Sequence, residues 1–558
     1  MLTQGLHSSR SVSFLLVLTF VFLPSTFFSQ TVEREKEDLD ARNAYLLQRY
    51  TGGGELPSVA ERVRAIVKMN ADENNRRKVA ANAGVVLDPT WKAIGPRPTV
   101  HTSVAGGDIQ VLSDATSGHV EAVAVDPRNR DVVYAGAATG GVWKTVDAGV
   151  NWTPLTDFQP SIATGSIALD PTNPDIVYVG TGDSSFSLGS LSGAGVLKST
   201  DAGQTWQVIG ADAFHMSTAT SGLGAPGISV SPDGKRILVA MNSNLGDVSG
   251  GIFLSTDGGA TWTRTLAGIR ASDVQFATNT VAYAGASLAV NSNSGVYKST
   301  DGGSTWSFLQ SLGALIPHPA RTRVSVSTLN PQTVYAVLAD GNDSNVLGGM
   351  FRSSDAGVTW QPITVPNFCG PQCGWDMVVS VSPVDPNIVW VGGAAGLDSL
   401  LRSSDGGLTW TRANNNIHVD HHALTFSTDG TRLYGGNDGG IYSTEDVQTG
   451  TVVWKNLNGT IQVTQFYAGL GLHPTDPDLA IGGTQDNGTS FYSGSLNWTF
   501  IYGGDTGAGV ISATDPSTLY LANASTIVKT TQPSSAFAFG AATIADNAPW
   551  ASMLVGDP

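Results

Sequence analysis

The chain has 558 residues, of which 14 % are charged and 66 are glycine, and its formal net charge is −16 at pH 7. That balance argues against a nucleic-acid groove or an anionic membrane surface, both of which need clustered Lys and Arg. Few charges and many glycines suit short strands and tight turns better than helices.

At the N-terminus Arg10 precedes an apolar run, Val12 to Leu23, followed by Pro24 and the small residues Ser25 and Thr26. About a dozen apolar residues fall short of the roughly 20 that cross a bilayer. Residues 1–30 therefore read as an export signal. The mature protein is expected to be secreted, periplasmic or at the cell surface, with no membrane span after signal removal. Residues 31–85 read as a helical or flexible leader. In it Leu39, Leu46 and Tyr50 recur at helical spacing, and Ser58 with Glu61 forms a capping-box pattern ahead of Val59, Val63, Ile66 and Val67.

Downstream the grammar repeats. Trp152, Trp206, Trp262, Trp306, Trp360, Trp410, Trp454 and Trp498 recur at intervals of 44 to 56 residues, and six of them close boxes such as KSTDAGQTW and RSSDGGLTW. A period of this size marks one supersecondary unit copied many times. Each unit reads as an alternating strand (Val120 to Val125 in the first), a Pro-rich turn such as DPRNRD, a V-Y-x-G strand, a variable loop, a third strand, the box, and a fourth strand starting at the Trp.

Four antiparallel strands in such a span make a propeller blade. The expected fold is all-β, a β-propeller with eight clear blades and a degraded ninth. Residues 86–460 read as the propeller, and 461–558 as further blades of the same ring or the start of a second. Thr90 to Ile94 resembles a fourth strand placed before any first strand, which predicts that it completes a later blade and locks the ring.

Within each box an Asp carboxylate is expected to accept backbone N–H groups across a tight turn, Gly to supply unusual backbone geometry, and Trp to pack into the blade. Asp147, Asp201, Asp257, Asp301, Asp355 and Asp405 are therefore assigned to structure. Strand direction puts boxes and Pro-rich turns on one face and the irregular loops on the other, where binding residues usually ride.

Those loops carry Asp183, Asp340, Asp343, Trp375, Asp376, Asp420, Asp438, Asp486 and Asp505, and the densest spot is His418-Val419-Asp420-His421-His422. Alternation sets His418, Asp420 and His422 on one side as candidate metal ligands, completed by Asp438 or Asp486. A hydrogen-bonded network tying loops together accounts for the same residues. Candidate ligand contacts are His418, Asp420, His421, His422, Asp438, Asp486, Asp505 and Trp375, with Tyr467 a second stacking platform. Candidate catalytic acids are Asp420, Asp438 and Asp183. The pattern requires no cofactor. Calcium donors occur in DGNDSN (340–345), but the distal Glu of the helix–loop–helix type is missing, which favours a solvated turn. Cys369 and Cys373 read as a local disulfide in an exported chain.

The boxes, together with WKAIGPRP, GGVWKTVDAGVNWTPLTD, HVDHHALTF, GNDGGIYST and GGTQDNGTS, resemble the BNR/Asp-box propeller superfamily, with its WD40/YVTN-like architecture. The likeness is strongest to large exported bacterial proteins labelled glycosyl-hydrolase-like or sortilin-like. A sialidase would imply an R-I-P element and an arginine triad. The chain has no R-I-P, and its loop face offers only Arg270, Arg321 and Arg323. The xyloglucan-active endoglucanases imply an Asp within T-D-x-G-G of an early blade. Here Ala138 stands in its place, and in GNDGG the matching offset holds Asn437, with Asp438 next. The leading expectation is thus a propeller that binds a glycan or an extracellular protein or peptide, without a catalytic pair. The alternative is a glycoside hydrolase acting on a plant or microbial polysaccharide through loop carboxylates, and a third reading is a structural scaffold.

Overall fold

Between Gly- and Pro-rich turns the repeat offers runs of Val, Ile, Ala and Tyr, residues that fit a pleated, doubly buried surface. In the computed structural model these runs form nine mostly four-stranded antiparallel sheets. The described residues are some helical ones between 61 and 78, and 93–101, 115–182, 193–214, 223–243, 250–287, 294–467, 469–523, 526–531 and 540–542. The expected export signal, the leader residues 31–60, Trp91 and Asp183 lie outside them. The described part of the leader is helical at residues 64–69, and Val67 on its apolar side is 62 % exposed. No helix among the described residues is long and apolar enough to cross a membrane.

Seven sheets form one ring. Blade 1 comprises Val120–Val125, Val133–Ala137, Gly141–Thr145 and Thr153–Pro154. The innermost strands of the next six blades are Thr164–Asp170, Leu223–Val230, Arg270–Phe276, Thr322–Val326, Val378–Val381 and His421–Phe426. Each innermost strand packs beside the next, and that of blade 7 packs against blade 1.

Closure needs no exchanged strand, since blades 1 and 7 are each built from four consecutive strands. Instead Val120, Val123 and Trp143 of blade 1 share one core with Tyr434, Ile441 and Leu457 of blade 7. Thr425 Oγ1 donates to Val123 O at 2.8 Å, and Arg432 meets Asp131 at 2.6 Å.

Of the predicted locking strand Thr90 to Ile94, only Ala93 and Ile94 are described, and they form no strand. Thr99–Val100 pairs in parallel with Trp498–Thr499, the outer strand of the eighth sheet, and Trp498 Nε1 donates to Ile94 O at 2.7 Å. The eighth and ninth sheets share a separate core containing Ile481, Phe491, Leu519 and Leu521. Their strands pack chiefly on one another, while the innermost strands of the other seven sheets pack in a closed round. Sequence repeats alone could not decide this, because blade-to-blade packing depends on contacts some 300 residues apart.

The boxes close on themselves. In blade 2, Asp201 Oδ1 accepts from Ser199 Oγ and from Thr205 N, both at 2.8 Å, while Ala202 and Gly203 take φ of 57° and 92°. Hydrogen bonds from Thr205 and Ser199 hold the Asp201 carboxyl down at about 2. Lys198 Nζ donates to Gly258 O of the next box at 2.7 Å, and Lys144 and Lys298 reach Ala202 O and Ala356 O of their neighbours in the same way.

Candidate functional site

Where the innermost strands begin, alternate side chains point at the ring axis, and charged residues gather there from four blades. His119 and Glu121 come from blade 1, Arg321 and Arg323 from blade 5, Asp376 from blade 6, and Asp420, His422 and Asp438 from blade 7. All are buried. The connection following blade 7 ties to the same rim, with Thr464 Oγ1 donating to Ser117 O at 2.8 Å and Gln465 Nε2 to Thr139 Oγ1 at 2.9 Å. It leads to the hairpin of the eighth sheet, which reaches the blade 7 loop: Asn487 Nδ2 donates to Asp438 O at 2.8 Å, and Asp505 Oδ1 accepts from Asp486 N at 2.6 Å.

The centre is a pair of imidazoles. His119 and His422 stack with centroids 4.0 Å apart and planes 21° from parallel. Glu121 Oε2 lies on one side, 2.9 Å from His119 Nε2 and 3.4 Å from His422 Nδ1. Asp438 Oδ1 lies on the other, 3.3 Å from His119 Nδ1 and 2.8 Å from His422 Nε2, with Asp376 Oδ1 3.4 Å from the same Nε2. One ligand atom each from His119, His422 and Asp438 falls within 4.8 Å of the others, so these three residues could hold a metal ion.

The carboxyls differ in charge state by environment. Burial pushes Asp376 well above the usual range, and the charges of Asp420 and Asp438 push the same way. Asp486 is raised by burial and by Asp505, Asp438 and Asp420, and its side chain hydrogen-bonds Asp438. Burial also works to raise Asp438, but His119 and His422 outweigh it and hold that group far below the usual range. Glu121 behaves similarly: burial opposes ionisation, yet His119, His422 and Arg321 bring it down to about 2. Arg321 donates to the carbonyls of Gly374 and Trp375, which anchors the loop carrying Asp376.

Asp420 and Asp486 share a further property. Both have left-handed backbones, with φ of 64° and 57°. Such conformations cost free energy in non-glycine residues and cluster where function requires them.

Several sequence expectations change. His418 does not join His422 as a ligand: its two ring nitrogens face the carbonyls of Val419 at 2.9 Å and Asp486 at 3.2 Å, so it ties loops together. Nor does Asp420 stand among the three clustered ligand atoms, where His119 and Asp438 join His422 instead. His421 points the other way, fully buried against Gly392, and burial lowers its ring to about 3. Trp375 is half-buried beside Asp376. Asp340 and Asp343 lie outside the cluster and close exposed turns, Asp340 accepting from Asn342 N at 2.7 Å and Asp343 from Asn345 N at 3.0 Å. Cys369 and Cys373 are joined by a disulfide in the loop before Trp375.

Sequence reading missed His119, Glu121 and the anchoring part of Arg321. A signal was present: G-H-V-E, A-R-T-R and V-D-H-H each place ionisable residues two apart at the start of an innermost strand. Such alternation on a strand otherwise buried on both faces marks a row of side chains aimed at the axis.

No family model matches the chain. It is 29 % identical over 369 residues to a xyloglucanase of a Paenibacillus species, covering 54 % of this chain and 32 % of that protein; the chain thus spans about a third of this curated relative. Among solved structures it is similar to an ancestral GH74 enzyme (TM-score 0.56, 17 % identity, 77 % of this chain and 63 % of that one). It is also similar to the GH74 xyloglucanase of Xanthomonas campestris (TM-score 0.50, 17 % identity, 76 % and 74 %). At such identities the solved structures speak for the propeller fold. The curated relative overturns the leading functional expectation. A binding propeller without catalysis gives way to the hydrolytic alternative, because the sequence relative is an enzyme that acts on a polysaccharide.

Proposed function

We propose that the protein is a glycoside hydrolase that acts outside the cell on a β-glucan of the xyloglucan class, at the seam between the ring and the eighth sheet. The observation that carries this reading is the pair Asp420 and Asp486. One comes from the ring and one from the adjoining sheet, both have strained left-handed backbones, and each lies within the other's electrostatic reach. Glycoside hydrolysis needs two carboxyl groups flanking the scissile bond, one protonating the leaving oxygen and the other acting as base or nucleophile. Asp486 is assigned the first role because burial and the neighbouring acids raise its carboxyl and so favour the protonated form a general acid needs. Asp420 is assigned the second. Ala138 at the position where related enzymes keep an Asp means that the pair here is recruited from other loops. Trp375, half-buried at the rim, supplies an apolar face for a sugar ring.

The test is release of reducing ends from xyloglucan, with cellulose, mixed-linkage glucan and xylan as comparators. Asp486→Asn and Asp420→Asn should each lower turnover by on the order of 10²–10⁴-fold while binding to the polymer persists. Wild-type protein that binds xyloglucan yet releases nothing from any of these polymers would refute the reading.

A further inference from the structure

The stacked histidines form a buried cluster that the hydrolytic reading does not use. His119 Nε2 lies 2.9 Å from Glu121 Oε2, and His422 Nε2 lies 2.8 Å from Asp438 Oδ1. His422 Nδ1, 3.4 Å from Glu121 Oε2, is buried without a hydrogen-bond partner.

Asp438 Oδ1 lies beside both His119 Nδ1 and His422 Nε2, one ligand atom from each of these three residues falls within 4.8 Å of the others, and Asp376 Oδ1 lies beside the same His422 nitrogen. The donor separations there are 2.8, 3.3 and 3.4 Å. Ligands about 2.1 Å from a first-row ion stand roughly 3.0–3.4 Å apart in octahedral or tetrahedral geometry, so binding would draw the two imidazoles out of their 4.0 Å stack towards the ion. Behind them, Glu121 serves as the outer carboxylate that commonly accepts the second N–H of a ligating histidine and fixes its tautomer.

We infer that His119, His422 and Asp438, completed by Asp376, form a site for a first-row divalent transition-metal ion of the zinc, manganese or iron class. Imidazole donors select these ions over calcium and magnesium. The position also says what the ion does. His119 belongs to blade 1 and His422 to blade 7, so the ion would clasp the ring where it closes, at a junction that has no exchanged strand. The site does not depend on the hydrolytic reading, and its test measures metal rather than turnover.

The full chain, purified without chelator, is assayed for metals by mass spectrometry, then stripped and titrated with zinc(II), cobalt(II) and, as comparator, calcium(II). The inference expects near-stoichiometric transition metal, a visible cobalt(II) ligand-field spectrum, and a melting temperature that falls on stripping and recovers with zinc(II). His119→Ala and His422→Ala should abolish stoichiometric binding. Glu121→Gln, which keeps every ligand, should weaken it by about 10–100-fold. Near-background metal with no cobalt(II) spectrum overturns the inference, as does full binding in the His119→Ala/His422→Ala double variant. Should the alanine variants fail to fold, the wild-type stoichiometry and spectrum and the Glu121→Gln shift decide the matter on their own.

Discussion

Two sets of aspartates divide this molecule. Those of the boxes are partly or fully exposed, recur in six blades, and find their partners within four residues: Asp257 accepts from Ser255 Oγ, Thr261 N and Thr261 Oγ1. Those of the mouth come from blades 6 and 7 and the eighth sheet, are shielded from water, and face one another. Hydrogen bonds hold the first set uniformly down at about 2. In the second set burial drives Asp376 and Asp486 up, while histidines hold Asp438 down. One residue type thus serves as a turn fastener where its partners are local and carries a shifted charge state where distant segments force carboxyls together.

The largest effect should come from crossing the two sets. Asp486→Asn and Asp420→Asn are expected to remove on the order of 10²–10⁴-fold of polysaccharide turnover with little change in melting temperature. Asp201→Asn and Asp257→Asn should do the reverse, keeping turnover and lowering the melting temperature. A box variant that loses turnover at unchanged stability would erase the distinction.

Next in size is the core that carries both faces. Trp390 is fully buried in the core shared by blades 6 and 7 and donates to Val447 O at 3.2 Å. Trp390→Ala should cost about 3–5 kcal/mol in urea unfolding. A cost near that of a surface substitution would mean the inter-blade core is not where stability resides.

A smaller, more selective change sits at Gly393. A Cβ there would lie 2.5 Å from Cys369 Cα and 2.6 Å from Asp376 O, both backbone atoms. Gly393→Ala should therefore shift the Asp376 loop and reduce zinc(II) affinity more than it reduces melting temperature. Unchanged affinity would place Asp376 outside the metal's ligands.

The smallest expected signal is in pH. Box carboxyls near 2 when folded and about 3.9 when unfolded are depressed groups, so their stabilisation is complete above about pH 4 and fades as pH falls towards 2. Melting curves of wild type and of the Asp201→Asn/Asp257→Asn double variant should therefore converge between pH 5 and pH 2. Parallel curves would show that these carboxyls contribute nothing through their charge.

Legibility followed the range of the contacts. The blades could be read because every element of the repeat, from V-Y-x-G strand to box, is decided within a few dozen residues. His422 and Asp438 could be singled out because they sit in dense polar loops. His119 and Glu121 could not, since G-H-V-E looks like an ordinary strand start until blade 7 is laid beside it. His418 was misjudged for the complementary reason: adjacency in sequence to His422 says nothing about the carbonyls of Val419 and Asp486 that occupy its ring.

The sequence by itself determined that the chain is all-β, built of repeated four-stranded blades, and that its box aspartates fasten turns. Only the tertiary structure decided that seven blades close a ring, that Thr99–Val100 joins the eighth sheet, and that His119 meets His422. Hydrogen bonds within a turn are set by neighbouring residues. Ring closure and the charge state of a buried carboxyl are set by packing between segments hundreds of residues apart, which no local pattern specifies.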